Sequence, residues 1–345
     1  MTRVRFVLVF ALLALALPSA HAQKRSKSAR KSAKSAKSAA APTTPGLTPG
    51  AHDVVLNGVR FWYRVAGSST SATAPVVFLH GGPGYNSHSF SVLEGSKLER
   101  SLQMVYFDQR GAGRSERPWS GHYQLDTLVD DIEALRKVLA VPRISLIGHS
   151  FGGLLALEYA ARYPNNVSRL ILVGAFSDGP QTCQVHRARL AGMHLVELAR
   201  VLKDTAWTHA PKRSDCEFES RALTSAERER FNNSGIFPDS MLQKKQDSVD
   251  AASGLRNTGE MSRALFGAGL FSYRFTKHSR VTMPALLIAG AEDYAVGVQP
   301  QRALAAALPR ARIAVYERSG HFPYLEEPIR FARDVSSFLS ADEKR

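Results

Sequence analysis

Short apolar runs alternate along this chain with stretches in which apolar residues recur every three or four positions. The runs are rich in Val, Ile, Leu and Phe, which is typical of buried strands. They cover residues 76–79, 104–107, 144–147 and 170–173. Between two of them, one face of a helix is marked by Leu125, Leu128, Ile132, Leu135 and Leu139. This alternation predicts a mostly parallel sheet covered by helices on both faces.

The ends of this pattern differ from its centre. Residues 54–65 alternate around Asn57-Gly58, which favours a hairpin. Between residues 175 and 280 the strand pattern fades, and helical stretches such as residues 185–202 and 240–266 predominate. Strands at 285–288 and 313–316 and helices at 299–308 and 328–339 then follow. We therefore predict a core formed by residues 51–174 and 281–345, with a helical cap, residues 175–280, inserted between its parts.

The first 22 residues have the pattern of a signal peptide. Arg3 and Arg5 precede an apolar run over residues 6–17, and Ala20-His21-Ala22 has the small-x-small form of a cleavage site. The apolar run is short for a membrane span. We therefore expect export to the periplasm or outside the cell, and a mature chain that starts at Gln23 without a transmembrane segment.

Residues 23–50 form a low-complexity linker with seven basic and no acidic residues. Such a composition cannot bury a core. The signal peptide and the linker carry nine of the positive charges, so the net charge of +15 falls to about +6 for residues 51–345. The linker is either a contact for anionic surfaces or a solvated spacer, and we expect no specific nucleic-acid binding from the domain.

The chain has two cysteines, Cys183 and Cys216, both within the predicted cap. In an exported protein an isolated pair is more often a disulfide than two free thiols, so we predict a bridge between them. No His or Cys cluster has metal-ligand spacing, and we predict no metal site.

A candidate nucleophile follows the strand at residues 144–147. Gly148-His149-Ser150-Phe151-Gly152 has the form G-x-S-x-G and lies between this strand and a helical stretch. Such a turn holds its serine in a strained conformation that exposes the hydroxyl, and it needs glycines where side chains would collide. The sequence therefore predicts serine hydrolase chemistry at Ser150.

A serine hydroxyl needs a base, and the base needs a carboxylate that fixes its tautomer. His321 lies after the last predicted strand in a short glycine turn, and Asp293 follows the strand at 285–288. The order Ser, Asp, His is that of one class of serine hydrolases. Glu292 and Asp178 are rival acids, so Asp293 is the preferred rather than the only candidate.

Acyl transfer also needs donors for the developing oxyanion. The backbone N–H of Phe151 is one candidate, because it directly follows the nucleophile. The other is Gly82 in the loop His80-Gly81-Gly82-Pro83-Gly84, where the absence of a side chain allows close approach to a substrate.

Three motifs together resemble a known family. HGGPG at residues 80–84, DQRGAGRS at residues 108–115 and the serine elbow resemble the proline iminopeptidase (prolyl aminopeptidase) family of the α/β-hydrolase superfamily, over most of residues 51–340. The resemblance implies an α/β-hydrolase fold with an inserted helical cap. The elbow departs from that family, which usually has Gly-Gly-Ser-Trp-Gly where this chain has Gly-His-Ser-Phe-Gly.

The resemblance also implies an activity, the release of N-terminal residues from short peptides without a cofactor. In that family, cap carboxylates recognise the free amine of the substrate. Glu260 is the candidate for this role, because Gly259-Glu260-Met261 precedes an aromatic-bearing helix much as in the family; a solvated helix charge is the alternative. The same residues would also suit a carboxylic ester hydrolase or lactonase, and more remotely a non-catalytic binding protein on a hydrolase scaffold.

Overall fold

A computed structural model describes residues 46–68, 73–119, 121–204, 216 and 221–341. The predicted signal peptide and residues 23–45 of the predicted linker lie outside these described residues. Their cleavage, export and surface contacts therefore stay predictions.

The described residues form one eight-stranded sheet in the order β1-β2-β4-β3-β5-β6-β7-β8. β1 pairs with β2, and β2 with β4, in antiparallel fashion, whereas every neighbour from β4 to β8 is parallel. The strands are β1 (Gly50–Leu56), β2 (Val59–Ala66), β3 (Val76–Leu79), β4 (Met104–Asp108), β5 (Ile144–His149), β6 (Val167–Val173), β7 (Ala285–Gly290) and β8 (Ala311–Tyr316).

The hairpin of β1 and β2 turns at Asn57 and Gly58. Both residues have positive φ, 49° and 79°, as a two-residue turn that matches the twist of the strands requires. The Asn57 side chain also donates to Asp131 Oδ1 at 2.9 Å. This bond joins the turn to a helix on one face of the sheet.

The sheet separates two apolar cores. In β4, Val105 and Phe107 belong to one core and Met104 and Tyr106 to the other, because successive strand side chains point to opposite faces. One core is covered by the helices Leu125–Val138, Phe151–Arg162 and Val298–Ala307. The other is covered by the helical stretch from His88 to Leu98, which contains a π-turn at Ser91–Gly95, and by Pro323–Glu326 and Pro328–Ser340. The predicted sheet with helices on both faces is confirmed.

The segment predicted as a cap, residues 175–280, lies between β6 and β7, and most of its described residues are helical. Its helices are Gly179–Met193, Leu195–Leu202, Ser225–Ile236, Ser240–Ser253 and Glu260–Gly267. The stretch expected as helical over residues 185–202 is broken at His194, which has ψ 50°. The stretch over residues 240–266 is broken at Gly254, where left-handed backbone ends the helix.

Three of these helices begin at side-chain caps, one of them Ser240–Ser253, where the Asp239 carboxylate accepts from the Met241 N–H at 2.7 Å. The Asp178 carboxylate accepts from the Gln181 N–H at 2.8 Å, and Thr224 forms a reciprocal capping box with Glu227. Within the described ranges, no helix combines the length and apolarity needed to cross a bilayer.

Candidate active site

Ser150 lies at the sharp turn between β5 and the helix Phe151–Arg162. Its backbone has φ 54° and ψ −121°, a conformation that a residue with a side chain rarely adopts. The Ser150 N–H donates to the Val173 carbonyl at 2.9 Å, and the Ser150 carbonyl accepts from the Phe176 N–H at 3.0 Å. These bonds to β6 and the residues after it hold the strained turn in place.

The glycines of this turn are required by close contacts. A Cβ on Gly152 would lie 2.1 Å from the Leu79 carbonyl oxygen of β3, and one on Gly148 would lie 2.5 Å from the Gly152 carbonyl oxygen. Both distances are far below a van der Waals contact. Glycine at position 148 therefore lets the turn close, and glycine at position 152 lets it pack against β3.

His321 and Asp293 meet at the carboxyl ends of β8 and β7. His321 Nδ1 donates to Asp293 Oδ2 at 2.9 Å. A carboxylate only accepts, so this bond places the proton on Nδ1 and leaves the Nε2 lone pair free for a proton from elsewhere. The rival acids lie apart from this bond: Asp178 caps a helix, and Glu292 is exposed.

Asp293 is buried, yet its surroundings favour the charged carboxylate. Burial alone would raise the pKa of Asp293. The His321 charge and its hydrogen bond, with N–H bonds from Val296 at 3.0 Å and Ala295 at 2.9 Å, outweigh burial and hold the pKa below its ordinary value. The carboxylate is thus available to stabilise a protonated His321.

Two features of the backbone hold this pair. Gly174, at the end of β6, has φ 48°, and a Cβ there would lie 3.0 Å from His321 Nδ1 and 3.1 Å from Asp293 Oδ2. From the cap, the Ile236 carbonyl accepts the His321 N–H at 2.9 Å, and the Gly235 carbonyl accepts the Tyr294 N–H at 3.0 Å. The cap helix Ser225–Ile236 therefore contacts both loops that carry the pair.

The loop after β3 passes directly beside Ser150. A Cβ on Gly81 would lie 2.9 Å from Ser150 Cβ, and Gly82, with φ 117°, lines the same cavity as Ser150. Phe151 is the first residue of its helix, where N–H groups have no partner within the helix. Gly82 thus lines the Ser150 cavity, and Phe151 follows Ser150 directly in the chain.

The DQRG motif holds this loop in place. The Gln109 N–H donates to His80 Nε2 at 3.1 Å, and the Gln109 side chain donates to the His80 carbonyl at 2.8 Å. His80 Nδ1 then carries the proton and donates to the Gly81 carbonyl at 3.0 Å. Burial lowers the pKa of His80, which keeps the ring neutral. Asp108 accepts from the Ser87 N–H at 2.8 Å, further along the loop.

A small cavity of about 10 Å³ joins these groups, which is room for about one water molecule. The cavity is lined by Gly81, Gly82, Tyr85, His149, Ser150, Ile236, His321 and Phe322.

A larger cleft, of about 380 Å³, lies elsewhere, between the cap helix Glu260–Gly267 and the core. Its lining includes Tyr123, Glu158 and Leu265 but not Ser150. Glu260 belongs to this region: it is half-buried and accepts from the Tyr123 hydroxyl at 3.3 Å. The candidate amine-binding carboxylate thus starts a helix beside the cleft and is outside the lining of the Ser150 cavity.

Another cap carboxylate, which the sequence did not single out, lies closer to the cavity. The Tyr85 hydroxyl donates to Asp250 Oδ2 and accepts from Gln246 Nε2 at 3.0 Å. Asp250 Oδ1 and Gln246 Oε1 are buried and have no hydrogen-bond partner among the described residues. Burial raises the pKa of Asp250 to about 6. The spacing of four residues on a helix was a visible signal, but nothing in the sequence showed which surface that face meets.

The two cysteines are joined. Cys183, in the helix Gly179–Met193, forms a disulfide with Cys216, and both sulfurs lie in a small apolar cluster with Phe271. The described residues contain no cluster of His, Cys, Asp and Glu side chains able to hold a metal ion.

Comparison with known proteins agrees with this fold. Residues 74–328 match the family model described as the alpha/beta hydrolase fold. A proline iminopeptidase of Clostridioides difficile (strain 630) is 27% identical over 302 residues, which is 83% of this chain and 96% of that protein.

Solved structures give the same result for the fold. A proline iminopeptidase-related protein from Thermus thermophilus superposes with a TM-score of 0.69 at 22% identity, over 85% of this chain and 98% of that chain. An esterase from Exiguobacterium antarcticum superposes with a TM-score of 0.61 at 22% identity, over 85% and 100% of the two chains. At these identities the likeness shows the fold alone.

Proposed function

This chain belongs to the α/β-hydrolase fold family, and from that premise we propose that it is an exported serine aminopeptidase of the proline iminopeptidase type. The observation that carries the serine chemistry is that the Asp293-bonded His321 and the strained Ser150 line one cavity. The similarity to proline iminopeptidases supports the peptidase activity.

The proposed reaction runs through an acyl-enzyme. The Ser150 Oγ attacks the scissile carbonyl carbon while its proton passes to His321 Nε2, and the Asp293 carboxylate stabilises the imidazolium. The N–H groups of Phe151 and Gly82 donate to the oxyanion. His321 then gives its proton to the leaving amine, which departs as the shortened peptide. Water then attacks the acyl carbon as His321 takes its proton, and His321 returns that proton to Ser150 Oγ when the acyl group leaves as a free amino acid.

The unpartnered Asp250 oxygen supports an amine-bearing substrate. The α-amine of an N-terminal residue lies two covalent bonds from the scissile carbonyl carbon, so its binding group must be close to Ser150. Tyr85 lines the Ser150 cavity and bonds to both Asp250 and Gln246. A protonated amine supplies the N–H donors that the buried oxygens of these two side chains lack.

An ester hydrolase is the second candidate. Ile236 and Phe322 give the cavity an apolar side that would suit an acyl chain. The same Ser150, His321 and Asp293 would serve a carboxylic ester or a lactone. The two candidates differ in whether a free amine on the substrate matters.

One experiment separates these candidates. Purified wild type and Ser150→Ala are treated with a fluorophosphonate probe and assayed on proline and alanine arylamides, on the same arylamides with N-acetyl groups, and on short acyl esters. We expect labelling of wild type alone, and hydrolysis of free-amine arylamides well above that of the blocked ones.

Other outcomes would change the assignment. Labelling of Ser150→Ala would exclude Ser150 as the nucleophile. Equal rates on free and blocked substrates, or faster rates on esters, would favour the ester hydrolase. A wild-type protein that takes no label and hydrolyses nothing would favour the binding-protein alternative.

A further inference from the structure

The elbow residue His149 bonds to the loop that carries His321. Its Nε2 lies 2.9 Å from the main-chain carbonyl oxygen of His321. A carbonyl oxygen only accepts, so Nε2 carries a hydrogen and donates it. Burial and the nearby His321 charge lower the pKa of His149 to about 3. The ring therefore stays neutral, with Nε2–H as its donor, throughout the neutral and mildly acidic range.

The His149 ring has little freedom to leave this bond. It is 4% exposed, and its centroid lies 4.8 Å from that of Phe322 and 5.3 Å from that of Tyr324, which meets it edge-on. On the other side, a Cβ on Gly81 would lie 3.2 Å from His149 Nδ1. The ring is thus packed between the loop after β3 and the segment that follows His321.

The main chain of His321 is consequently held at both of its polar groups. Its N–H donates to the Ile236 carbonyl of the cap, and its carbonyl accepts from His149. His149 is covalently next to Ser150. The hydrogen bond from His149 therefore connects the His321 backbone directly to the turn that carries Ser150.

From this arrangement we infer that His149 is a positioning residue that sets the place of the His321 imidazole relative to the Ser150 hydroxyl. It acts through the hydrogen bond to the His321 backbone, and its ring also packs beside the His321 ring, with the two centroids 4.8 Å apart. The inference rests on the serine-hydrolase function proposed above.

Two variants separate the hydrogen bond from the bulk of the ring. His149→Phe keeps an aromatic ring but removes the donor, whereas His149→Gln carries an amide N–H at about the reach of Nε2. Because a displacement of about 1 Å in a catalytic group can cost on the order of 100-fold, we expect His149→Phe to lose about 10- to 100-fold in kcat. We expect KM to change less than kcat, since His149 is one of several residues that line the cavity, and His149→Gln to recover most of the loss in kcat.

The same variants are compared by thermal unfolding and by the downfield proton NMR signal of His321 Nδ1–H. We expect this signal to be sharp in wild type and His149→Gln and shifted or broadened in His149→Phe, with all three proteins folded. A His149→Phe protein with wild-type kcat, or one with an unchanged Nδ1–H signal, would overturn the inference. A His149→Gln protein as slow as His149→Phe would also overturn it. The same holds if His149→Phe lowers kcat, raises KM and lowers the melting temperature together.

These readouts also separate this inference from the function on which it rests. A wild-type protein that hydrolyses nothing and takes no fluorophosphonate would refute the proposed function. The NMR comparison would still decide whether His149 holds His321, because that signal requires no turnover.

Discussion

The carboxylates of Asp250 and Glu260 differ in their burial and in their hydrogen bonding. Asp250 is 6% exposed and keeps one oxygen without a partner among the described residues. Glu260 is half-buried and is bonded to Tyr123. Leaving a buried acceptor unpaired costs about 1–3 kcal/mol, a cost that a bound ammonium group would offset. Asp250 is therefore the better candidate for binding an amine.

A matched pair of amide substitutions tests this choice. We expect Asp250→Asn to raise KM for free-amine arylamides by about 10- to 100-fold, because a hydrogen bond to a charged group is worth about 1.5–3 kcal/mol. Glu260→Gln makes the same change from carboxylate to amide and should alter KM little. The rate of acyl-ester hydrolysis by each variant is the control, because a loss there would show that the substitution damages the fold.

The result for Glu260→Gln can reverse the assignment. A larger loss there than in Asp250→Asn would place the amine at Glu260. Equal losses on arylamides and esters would indicate that the substituted side chain supports folding rather than binding.

The pH dependence of amine binding provides a separate test of Asp250. Its pKa of about 6 means that the carboxylate is lost as pH falls through that value. A substrate α-amine loses its positive charge above a pH of about 8. We therefore expect kcat/KM for free-amine substrates to fall on both sides of this window.

Ester hydrolysis by wild type, and arylamide hydrolysis by Asp250→Asn, are the controls for this profile. Both lack the pairing of a carboxylate with an ammonium group. The measurement is kcat/KM from pH 5 to 9 for wild type on arylamides, wild type on esters and Asp250→Asn on arylamides. The same acid limb near pH 6 in all three profiles would contradict the assignment.

At the scale of elements, the disulfide joins the first cap helix to a residue 33 positions further along the chain. In the loop-entropy description a bridge of this separation stabilises by about 3 to 4 kcal/mol. We expect thiol titration of the denatured, unreduced protein to find no free thiol. We also expect reduction to raise KM before global unfolding, because the bridge lies in the cap rather than in the core.

A Cys183→Ser, Cys216→Ser double variant is the control for chemical side effects of the reductant. Two titratable thiols in the unreduced protein would refute the bridge. A reduced protein whose core and cap unfold together at an unchanged temperature would show that the bridge does not stabilise the cap.

Elements with strong local signals could be predicted from sequence. The alternation around Asn57-Gly58, the four-residue apolar runs and the glycines of the elbow each fix a local backbone geometry. The interruptions of the cap helices were less visible, because His194 carries no strong helix-breaking signal and a single glycine such as Gly254 is tolerated inside helices.

At the scale of the whole molecule, the strand order explains why Ser150 and His321 line one cavity and why Asp293 lies beside His321. β5, β6, β7 and β8 are parallel neighbours, so the residues after their carboxyl ends share one edge of the sheet. This rule let the sequence predict that Ser150, Asp293 and His321 converge. The predicted membership of the α/β-hydrolase superfamily, with resemblance to proline iminopeptidases, is confirmed.

The contacts between cap and core could not be predicted in the same way. Which face of the helix Ser240–Ser253 meets Tyr85 depends on how the cap docks, and the apolar periodicity of one helix does not determine its partner. For this reason Asp250 and the Ile236 carbonyl became visible only in the structure.

The backbone bond between Ile236 and His321 bears on protein engineering. Exchanging the cap of a hydrolase is an attractive way to graft a new substrate preference onto an existing catalytic core. Here the cap supplies the acceptor for the N–H of His321 itself. A transplanted cap must therefore present a carbonyl at the same point, or the chimaera will gain a new binding surface with a displaced histidine.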